Sequence, residues 1–461
     1  MREDIPSTSS PPIIRALVQP STWWGHPTTR PLTTGAWALG LRDFCKALRI
    51  VLDDRFIRPR YNGHCFADLP ATIKWILTGQ GSPSLDPALL TAVGPCDTVV
   101  LFFIDSFGWR FFERYQDRYP FLSDIGRGGS VNRLTAQFPS TTAAHITCIH
   151  TGLPPGRSGV FEWQYYEPSV DAIITPLPFA RADSKQPNSL PREAAQTVFP
   201  QGTLYQELGQ SGVESFVFQS RAFTPSTCSD TYLQGAQVHP CYTFSEALTN
   251  LATLLQKPRS GPAYFLFYFD QIDLIGHCYG PDSPQFQVEI DTFLTAVERL
   301  FWRPLAGRLQ RTLFALIADH GQAAVNPETT VYLNDETRFP GLVPMLRTDR
   351  AGRPLVPAGA CRDFFLYVKE DRLDEAHSLL ARQLEGRAQV CRTMDLIEAG
   401  LFGPLPLSSR FLDRVGNLVV LPFAGESVWW YEKDKFEMTK HGAHGGLTSD
   451  EVEIPLLLFY F

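Results

Sequence analysis

The stretch Thr98-Val99-Val100-Leu101-Phe102-Phe103-Ile104-Asp105 is an unbroken apolar run that ends in a carboxylate. Such a run is typical of a strand that is covered on both faces, as in a parallel sheet with helices on either side. Similar runs recur along the chain, with helix-like stretches between them. We therefore predict an α/β fold with a mostly parallel central sheet, with strands at 98–104, 215–218, 264–269, 312–318 and 454–461 and helices at 109–115, 142–151 and 286–301.

The residues before this first strand have a different composition. Residues 1–35 are rich in proline, serine and threonine, which predicts a tail. Apolar residues lie near helical spacing over 36–56 and 72–77, which predicts two helices. We therefore predict an N-terminal extension, made of a tail and helices, over 1–95.

The remaining residues, 96–461, are predicted to form one catalytic domain with insertions. The stretches 166–200 and 339–358 are rich in proline, which interrupts regular helices and strands. We expect insertions near 166–200 and 325–440 to form a cap over the sheet.

The overall composition excludes some classes of protein. The 461 residues are 44% hydrophobic, which is enough to bury a large core. The net charge of −7 comes from interspersed residues and includes no basic stripe, which argues against a nucleic-acid polymer as partner. Nine cysteines stand singly, and an odd number favours reduced thiols over a disulfide framework.

The N-terminus and the apolar runs bear on localisation. Residues 1–12 carry acids and lack the apolar segment of a secretion signal. Runs such as 99–104 and 456–461 fall short of the roughly 20 apolar residues that a membrane-spanning helix needs. We therefore expect no transmembrane segment and a cytoplasmic protein.

Acids and histidines stand at the ends of the predicted strands, where open α/β sheets bind ligands. Asp105 ends the first strand, and Asp319 and His320 follow the strand at 312–318, with a glycine after them that lets the chain turn around an ion. Carboxylates and imidazoles are ligands for zinc and other divalent metals. The alternatives are a helix N-cap for Asp105 and a loop hydrogen bond for the Asp-His pair.

A second carboxylate–imidazole pair follows the strand at 264–269. Asp273 and His277 are four residues apart, so one helical turn or a tight loop could direct both side chains to the same ion. Gly276 weakens a helix and favours the loop. Asp270 ends the strand directly and competes for the carboxylate role, in which we prefer Asp273.

Glycines flank two histidines in the loop 441–446, which has the sequence HGAHGG. Glycine lets a backbone approach an ion or an anion closely. We expect His444 or His441 to reach such a ligand and the other to lie at the surface or against a substrate. A structural role for both is the alternative.

The stretch 138–145, with the sequence FPSTTAAH, runs into the predicted helix 142–151. A helix N-terminus offers free N–H groups and a partial positive charge, which attract a phosphate and favour an ionised hydroxyl. A threonine here would therefore be placed as a nucleophile. The alternative is that Ser140, Thr141 and Thr142 only cap the helix.

Taken in chain order, these motifs resemble those of the nucleotide pyrophosphatase/phosphodiesterase family, in the alkaline phosphatase superfamily. They are Asp105, the loop with Thr142, Asp273-x-x-Gly-His277 followed by Gly280-Pro281, Asp319-His320-Gly321, and His444-Gly445. Their order and intervals match over 98–461 and not over 1–95. The resemblance implies an alkaline-phosphatase-like three-layer αβα sandwich with an inserted cap.

The resemblance also implies a site with two Zn²⁺ ions. Other divalent metals could bind to the same ligands. One ion would be bound by Asp273, His277 and His444 and the other by Asp105, Asp319 and His320. Counting back from Thr151-Gly152 makes Thr142, and not Thr141, the implied nucleophile. His145 stands where we expect an asparagine, and we expect it to bind a phosphate oxygen of the substrate.

The implied function is that of a metal-dependent phosphoric ester hydrolase. It would be a phosphodiesterase or nucleotide pyrophosphatase that acts on a small-molecule phosphoester through a phospho-threonine intermediate. The C-terminal residues from His444, with Glu451 and Pro455, also resemble phosphonoacetate hydrolase. A phosphonate hydrolase or a phosphomonoesterase is therefore an alternative on the same metal site, and a non-catalytic binding protein that retains the fold is the alternative from another class.

Overall fold

A seven-stranded sheet forms the centre of the computed structural model, which describes residues 52–184 and 186–461. In chain order its strands are β1 Thr98–Ile104, β2 Ser130–Thr135, β3 Glu214–Ser220, β4 Gln237–Cys241, β5 Ala263–Phe269, β6 Thr312–Ile317 and β7 Glu453–Tyr460. Across the sheet their order is β2-β7-β6-β1-β5-β3-β4. Neighbours are parallel except at β7, which is antiparallel to both β2 and β6. The predicted α/β class and the mostly parallel sheet are confirmed.

The two edge strands, β2 and β4, are the ones that the sequence pattern does not reveal. Their sequences are SVNRLT and QVHPC, and most of their residues are partly or fully exposed. An edge strand has only one neighbour and less apolar surface to bury, so its pattern is weak.

Strand β1 is buried along its whole length because helices cover both faces of the sheet. Phe102 packs against Phe301 on one face, and Phe103 packs against Phe66 on the other. The helices are α1 Leu69–Thr78, α2 Trp109–Tyr115, α3 Pro120–Gly128, α4 Thr142–Thr151, α5 Leu204–Gln210, α6 Phe244–Leu255, α7 Gln271–Tyr279, α8 Pro284–Ala296 and α9 Leu373–Gln383. Shorter helical segments are Phe66–Asp68, Pro87–Leu90, Pro155–Ser158, Arg192–Ala194, Ala195–Val198, Thr227–Tyr232, Val297–Trp302, Arg303–Leu305, Pro327–Thr329, Leu342–Met345, Glu370–Arg372, Thr393–Glu398, Ser409–Arg414 and Ser449–Val452.

The helices form two layers, one on each side of the sheet. Helix α5 lies on the Phe103 side, where Tyr205 stacks on Tyr264 of β5. Helices α6 and α8 lie on the opposite side, where Phe244 packs against both Phe267 and Phe293. The arrangement is the three-layer αβα sandwich expected from the sequence.

Most of the predicted helix at 36–56 lies outside the described residues, and residues 52–56 are not helical. The predicted helix at 72–77 is part of the longer α1. Leu52, Phe56 and Leu69 belong to the same hydrophobic core as the central sheet. None of the helices in the part of the chain that the structure describes combines the length and apolar character needed to cross a membrane.

Smaller sheets lie within or next to the segments for which we predict a cap. A four-stranded antiparallel sheet runs in the order Ala358–Ala360, Asp363–Leu366, Leu418–Pro422 and Ala388–Arg392, and with α9 it forms its own hydrophobic cluster. Three short strands, Tyr165–Glu167, Ala172–Thr175 and Ala180–Arg181, form another sheet. Two further ladders pair Ala323–Ala324 with Gly442–Ala443 and Val331–Tyr332 with Val428–Trp429. The division into extension, main domain and cap stays a prediction.

A buried ion pair ties the four-stranded sheet to the loop before β7. Arg362 and Glu451 are both fully buried, and two hydrogen bonds join them, Nε to Oε1 at 3.0 Å and Nη2 to Oε2 at 2.8 Å. Glu451 also accepts hydrogen bonds from the backbone N–H groups of Gly446 and Thr448. This one carboxylate therefore holds the loop that carries His444.

We expect Arg362→Met to lower the free energy of unfolding by about 3–5 kcal/mol, because it leaves the charge of Glu451 buried without a partner. The matched control is Arg311→Met, which breaks the ion pair between Arg311 and Asp97. The side chains of these two residues are 55% and 57% exposed, so the loss of this pair should cost less than about 1 kcal/mol. Equilibrium urea denaturation measures both. Equal, small losses in the two variants would contradict this role of the buried pair.

Candidate active site

A cavity of about 710 Å³ opens at the carboxyl ends of β1, β5 and β6. Asp105, Thr142, Asp273, His277 and His444 contribute to its wall. Asp319 and His320 follow β6 and are fully buried beside it. The topology thus brings together residues that are far apart in the sequence, as is usual for ligand sites in open α/β sheets.

The first group of side chains consists of Asp273, His277 and His444. Asp273 and His277 lie one turn apart on α7, with 3.3 Å between Oδ2 and Nε2. His444 approaches from the loop before β7 and places Nε2 3.5 Å from Asp273 Oδ1. One ligand atom from each residue can be chosen so that all lie within 4.8 Å of one another.

The expectation of a loop around Gly276 was wrong, because α7 continues through it. A Cβ atom at position 276 would lie 1.8 Å from Oε1 of Gln322. The glycine therefore leaves room for the side chain of Gln322 and does not make a turn. Gln322 uses this proximity to donate a hydrogen bond of 3.0 Å from Nε2 to Asp273 Oδ1.

The second group consists of Asp105, Asp319 and His320, all of which are buried. His320 Nε2 lies 3.6 Å from Asp105 Oδ1 and 3.3 Å from Asp319 Oδ2. Gly321, which we expected to provide a turn, instead allows close packing, since a Cβ there would lie 2.1 Å from the carbonyl oxygen of Asp450.

Each of the three histidines is held by a backbone carbonyl group at Nδ1. The Nδ1 atoms of His277, His444 and His320 lie 2.7, 3.0 and 2.9 Å from the carbonyl oxygens of Gly442, Ser140 and Gly321. A carbonyl oxygen can only accept a hydrogen bond, so Nδ1 carries the proton in each ring. The lone pair of each Nε2 is then directed towards the carboxylates, as in a metal ligand.

The two groups lie side by side. The rings of His320 and His444 stack with their centroids 3.7 Å apart. Ser106, which has a φ of 61°, connects the groups: its hydroxyl donates to Asp273 Oδ1 at 2.7 Å and its N–H donates to Asp319 Oδ1 at 3.1 Å.

Burial dominates the electrostatics of the site. It raises the pKa of Asp319 to about 8, and burial together with the charge of Asp319 raises the pKa of Asp105 well above its usual range. For Asp273 burial acts in the same direction, but His277 and His444 outweigh it and hold the pKa of this carboxyl well below its usual value. Burial also lowers the pKa of His444 to about 4, so its ring is neutral near pH 7.

These observations fit two divalent metal ions. Oδ1 of Asp105 and Oδ2 of Asp319 are buried without a hydrogen-bond partner, which is unfavourable for a carboxylate unless a cation compensates it. Neutral imidazoles and ionised carboxylates are the forms in which these side chains bind metals. Each group supplies a donor set of nitrogen and oxygen atoms that suits zinc.

Thr142 is the first residue of α4 and lies against the second group. Its hydroxyl oxygen is 3.2 Å from His320 Nε2. Thr141, the N-cap residue, makes no side-chain capping bond, and the hydroxyl of Ser140 donates to the carbonyl of Gly446. The described contacts therefore give no support to the alternative in which Thr141 and Ser140 cap the helix.

His145 is not brought into the cavity, contrary to the substrate contact that we expected. Its Nδ1 donates to the carbonyl of Thr141 at 2.8 Å, and its Nε2 accepts from the N–H of Gln137 at 2.9 Å. The ring is fully buried against Phe66, and burial lowers the pKa of His145 to about 3. With both ring nitrogens bound to the backbone, this neutral imidazole braces the loop before α4 and has no atom left for a phosphate.

The positions of Asp270 and His441 distinguish them from Asp273 and His444, with which they compete as candidate ligands. Asp270 is the N-cap residue of α7, accepts a hydrogen bond from Gln271 and belongs to neither group. His441 is exposed, whereas His444 is buried. The geometry thus favours Asp273 and His444, which were preferred from the sequence.

Three supporting residues were missed in the sequence. They are Ser106, Gln322 and Tyr268, whose hydroxyl donates to Asp105 Oδ2 at 2.6 Å. Each lies within three positions of a predicted ligand or at the end of a predicted strand, so position along the chain was the available signal. Residue type was not, because serine, glutamine and tyrosine have many other uses in proteins.

Comparisons with known proteins place this geometry in a family. Residues 99–447 match the family model described as type I phosphodiesterase / nucleotide pyrophosphatase. Human ectonucleotide pyrophosphatase/phosphodiesterase family member 1 is 24% identical over 248 residues, which are 51% of this chain and 24% of that protein. An uncharacterized pyrophosphatase/phosphodiesterase of Schizosaccharomyces pombe is 24% identical over 254 residues, which are 52% of this chain and 47% of that protein. The matches thus span about a quarter and about half of the length of these relatives.

Solved structures show the same fold. Murine ectonucleotide pyrophosphatase/phosphodiesterase 5, in an inactive form in complex with AMP, superposes with a TM-score of 0.58 at 17% identity, over 78% of this chain and 87% of that chain. The human form of that protein superposes with a TM-score of 0.57 at 16% identity, over 78% and 87% of the two chains. The alkaline-phosphatase-like architecture expected from the sequence is confirmed, and the family match over residues 99–447 shows that this chain belongs to the type I phosphodiesterase / nucleotide pyrophosphatase family.

Proposed function

We propose that this chain is a phosphodiesterase-type phosphoric ester hydrolase that binds two divalent ions and uses Thr142 as its nucleophile. Zinc is the ion that we propose for both sites. The observation that carries the proposal is the position of the Thr142 hydroxyl. It lies at the N-terminus of α4, 3.2 Å from Nε2 of His320 and beside two donor sets that suit metal ions. A phosphoryl group at this point would meet the nucleophile, the helix N-terminus and both metal sites.

The metal ligands in this proposal are the two groups of side chains. Asp273, His277 and His444 hold one ion and Asp105, Asp319 and His320 hold the other. When bound, such ions stabilise negative charge on oxygen and favour the ionised form of a coordinated hydroxyl group. The chain supplies fixed ligand directions, since the backbone carbonyls orient the imidazoles and Ser106, Gln322 and Tyr268 orient the carboxylates.

The proposed reaction is an in-line displacement in two steps. The Thr142 hydroxyl gives up its proton to solvent, and Oγ1 forms a bond to phosphorus while the bond from phosphorus to the leaving oxygen breaks with its electron pair on that oxygen, which gives a phospho-threonine. Water then attacks the phosphorus, the bond to Oγ1 breaks, and the Thr142 hydroxyl regains its proton. The free N–H groups at the start of α4 stabilise the negative charge of the phosphoryl group throughout.

His145 acts as a positioning residue in this scheme. Its two hydrogen bonds tie the carbonyl of Thr141 to the N–H of Gln137 and so fix the loop that carries the nucleophile. A neutral imidazole suits this role, because a protonated ring could not accept the bond from Gln137.

A small-molecule phosphoester with a sizeable organic group is the proposed substrate class. The cavity is far larger than a phosphate group, and apolar side chains such as Ile146, Trp163 and Leu177 are also among the residues that line it. The complex of the murine relative contains AMP, which supports a ligand of nucleotide size. A diester places organic groups on both sides of phosphorus, and phosphomonoesters and phosphonates are the substrates to compare with it.

We expect Thr142→Ala to reduce turnover of bis(p-nitrophenyl) phosphate by at least about 1,000-fold, because the nucleophile is removed. Metal content, measured by inductively coupled plasma mass spectrometry, should stay at the wild-type level. Thr141→Ala is the matched control and should retain turnover. An active Thr142→Ala enzyme, or an inactive Thr141→Ala enzyme with its metals in place, would overturn the choice of nucleophile.

We expect the wild-type protein to bind about two equivalents of zinc and His320→Ala to bind about one, because one donor set loses its only imidazole. Asp270→Asn is the control and should retain both ions, since Asp270 lies outside the two donor sets. Chelation should abolish hydrolysis and added zinc should restore it. A protein that binds no metal, and shows no activity after zinc is added, would instead be a non-catalytic binding protein.

A further inference from the structure

Helix α4 begins at the proposed nucleophile and extends along the wall of the cavity. Thr142, Ile146 and His150 all belong to this helix and line the cavity. They follow one another at intervals of four residues, so their side chains lie on the same face of the helix. At a rise of about 1.5 Å per residue, His150 lies about 12 Å further along the helix axis than Thr142. The cavity wall thus carries an imidazole at a fixed distance from the nucleophile.

His150 is buried, and its Nδ1 atom already has a partner. The residue is 3% exposed, and Nδ1 lies 2.7 Å from the hydroxyl oxygen of Tyr205. Tyr205 is fully buried, and its hydroxyl has no other acceptor among the described residues. Since a buried hydroxyl without an acceptor is unfavourable, Tyr205 donates this hydrogen bond and His150 Nδ1 accepts it.

The hydrogen bond from Tyr205 fixes the tautomer of the His150 ring. Burial lowers the pKa of His150 to about 3, so the ring is neutral near pH 7 and carries a single N–H proton. Because Nδ1 accepts a bond, this proton lies on Nε2. The three proposed metal-binding histidines have the opposite tautomer, since their Nδ1 atoms donate to backbone carbonyls. His150 is therefore a hydrogen-bond donor and has no free lone pair for a metal ion.

The Nε2–H group of His150 is the only polar group of this side chain that is left for a ligand. No residue in the described part of the chain accepts a hydrogen bond from it. Tyr232 stacks on the imidazole with 5.9 Å between the ring centroids, and the hydroxyl of Tyr232 is paired with that of Thr147. A buried donor is expected to have a partner, and the cavity that His150 lines is where a ligand can supply one.

The surroundings of His150 define the kind of acceptor that fits. Ile146 lies between Thr142 and His150 and offers no hydrogen bond, so the middle of a bound substrate passes an apolar side chain. His150 lies in the last turn of α4, where the partial negative charge of the helix end disfavours an anion. A neutral imidazole also gives an anion no compensating charge. These features together favour an uncharged acceptor at the end of an apolar group.

We propose that His150 is a specificity-determining residue whose Nε2–H binds an uncharged carbonyl oxygen on the organic group of the substrate, about 12 Å from phosphorus. This inference rests on the proposed function, because the Thr142 hydroxyl must mark the position of phosphorus. The substrates favoured in this way are phosphodiesters in which an apolar alkyl or aryl group ends in an acyl or amide carbonyl. The contact requires neither a nucleobase nor a second phosphate.

The test compares two p-nitrophenyl alkyl phosphodiesters whose alkyl chains can reach from Thr142 to His150. One chain ends in a methyl ketone, and in the other a methylene group replaces the carbonyl. We expect the wild-type enzyme to favour the ketone by about 3- to 10-fold in kcat/KM, the gain typical of a hydrogen bond between neutral groups. His150→Phe should remove this preference and change kcat/KM for the methylene ester by less than about twofold. A ketone on a chain too short to reach His150 should gain nothing.

Two further variants separate the contact from effects on folding. His150→Phe leaves the Tyr205 hydroxyl without an acceptor, whereas the double variant with Tyr205→Phe removes both partners and should also lack the preference. His150→Gln should restore the preference, because a glutamine amide can accept from Tyr205 and donate to the ketone. Thr151→Ala is the control, since Thr151 follows His150 on α4 and does not line the cavity.

Competitive inhibition by inorganic phosphate separates the His150 contact from the metal site, and its inhibition constant should be the same in the wild type and the His150 variants. A wild type without a preference for the ketone, equal losses on both esters, or a preference that survives His150→Phe would each overturn the role of His150. A zinc-loaded wild type that hydrolyses neither of these esters nor bis(p-nitrophenyl) phosphate would instead refute the proposed function, and the inference with it.

Discussion

The structure depends on the convergence of three carboxylates, those of Asp105, Asp273 and Asp319, in one buried place. Carboxylates in such a place repel one another and lose their hydration, and the raised pKa values of Asp105 and Asp319 express that cost. Hydrogen bonds from Ser106, Gln322 and Tyr268 compensate part of it, although one oxygen each of Asp105 and Asp319 stays without a partner. Two divalent cations would supply the compensation that the protein atoms do not.

The surrounding fold holds these side chains next to one another. Parallel strands β1, β5 and β6 end at one edge of the sheet, so the residues that follow them meet there. The loop with His444 does not directly follow a strand of the central sheet. It is held instead by the buried Arg362–Glu451 pair and by the pairing of Gly442–Ala443 with Ala323–Ala324.

Much of this arrangement could be predicted because it follows from strong local patterns. The apolar run of β1 and the acid after it, Asp105, identify a central strand and its functional end, and the same reasoning applies to Asp319 after β6. Edge strands β2 and β4 escape this reasoning because they bury less apolar surface. Gly276 and His145 show a different limit. Gln322 fills the space beside Gly276, and backbone groups bind both ring nitrogens of His145. These are tertiary contacts, which no local sequence pattern records.

In the proposed reaction, Thr142 bears the phosphoryl group between the two steps. The most direct measurement is therefore mass spectrometry of the zinc-loaded enzyme, quenched with acid during turnover of bis(p-nitrophenyl) phosphate and then digested. We predict a phosphoryl adduct on the peptide that contains residues 139–151, with fragmentation assigning it to Thr142. An adduct on Thr141 or on any other residue would contradict the assignment of Thr142 as the nucleophile.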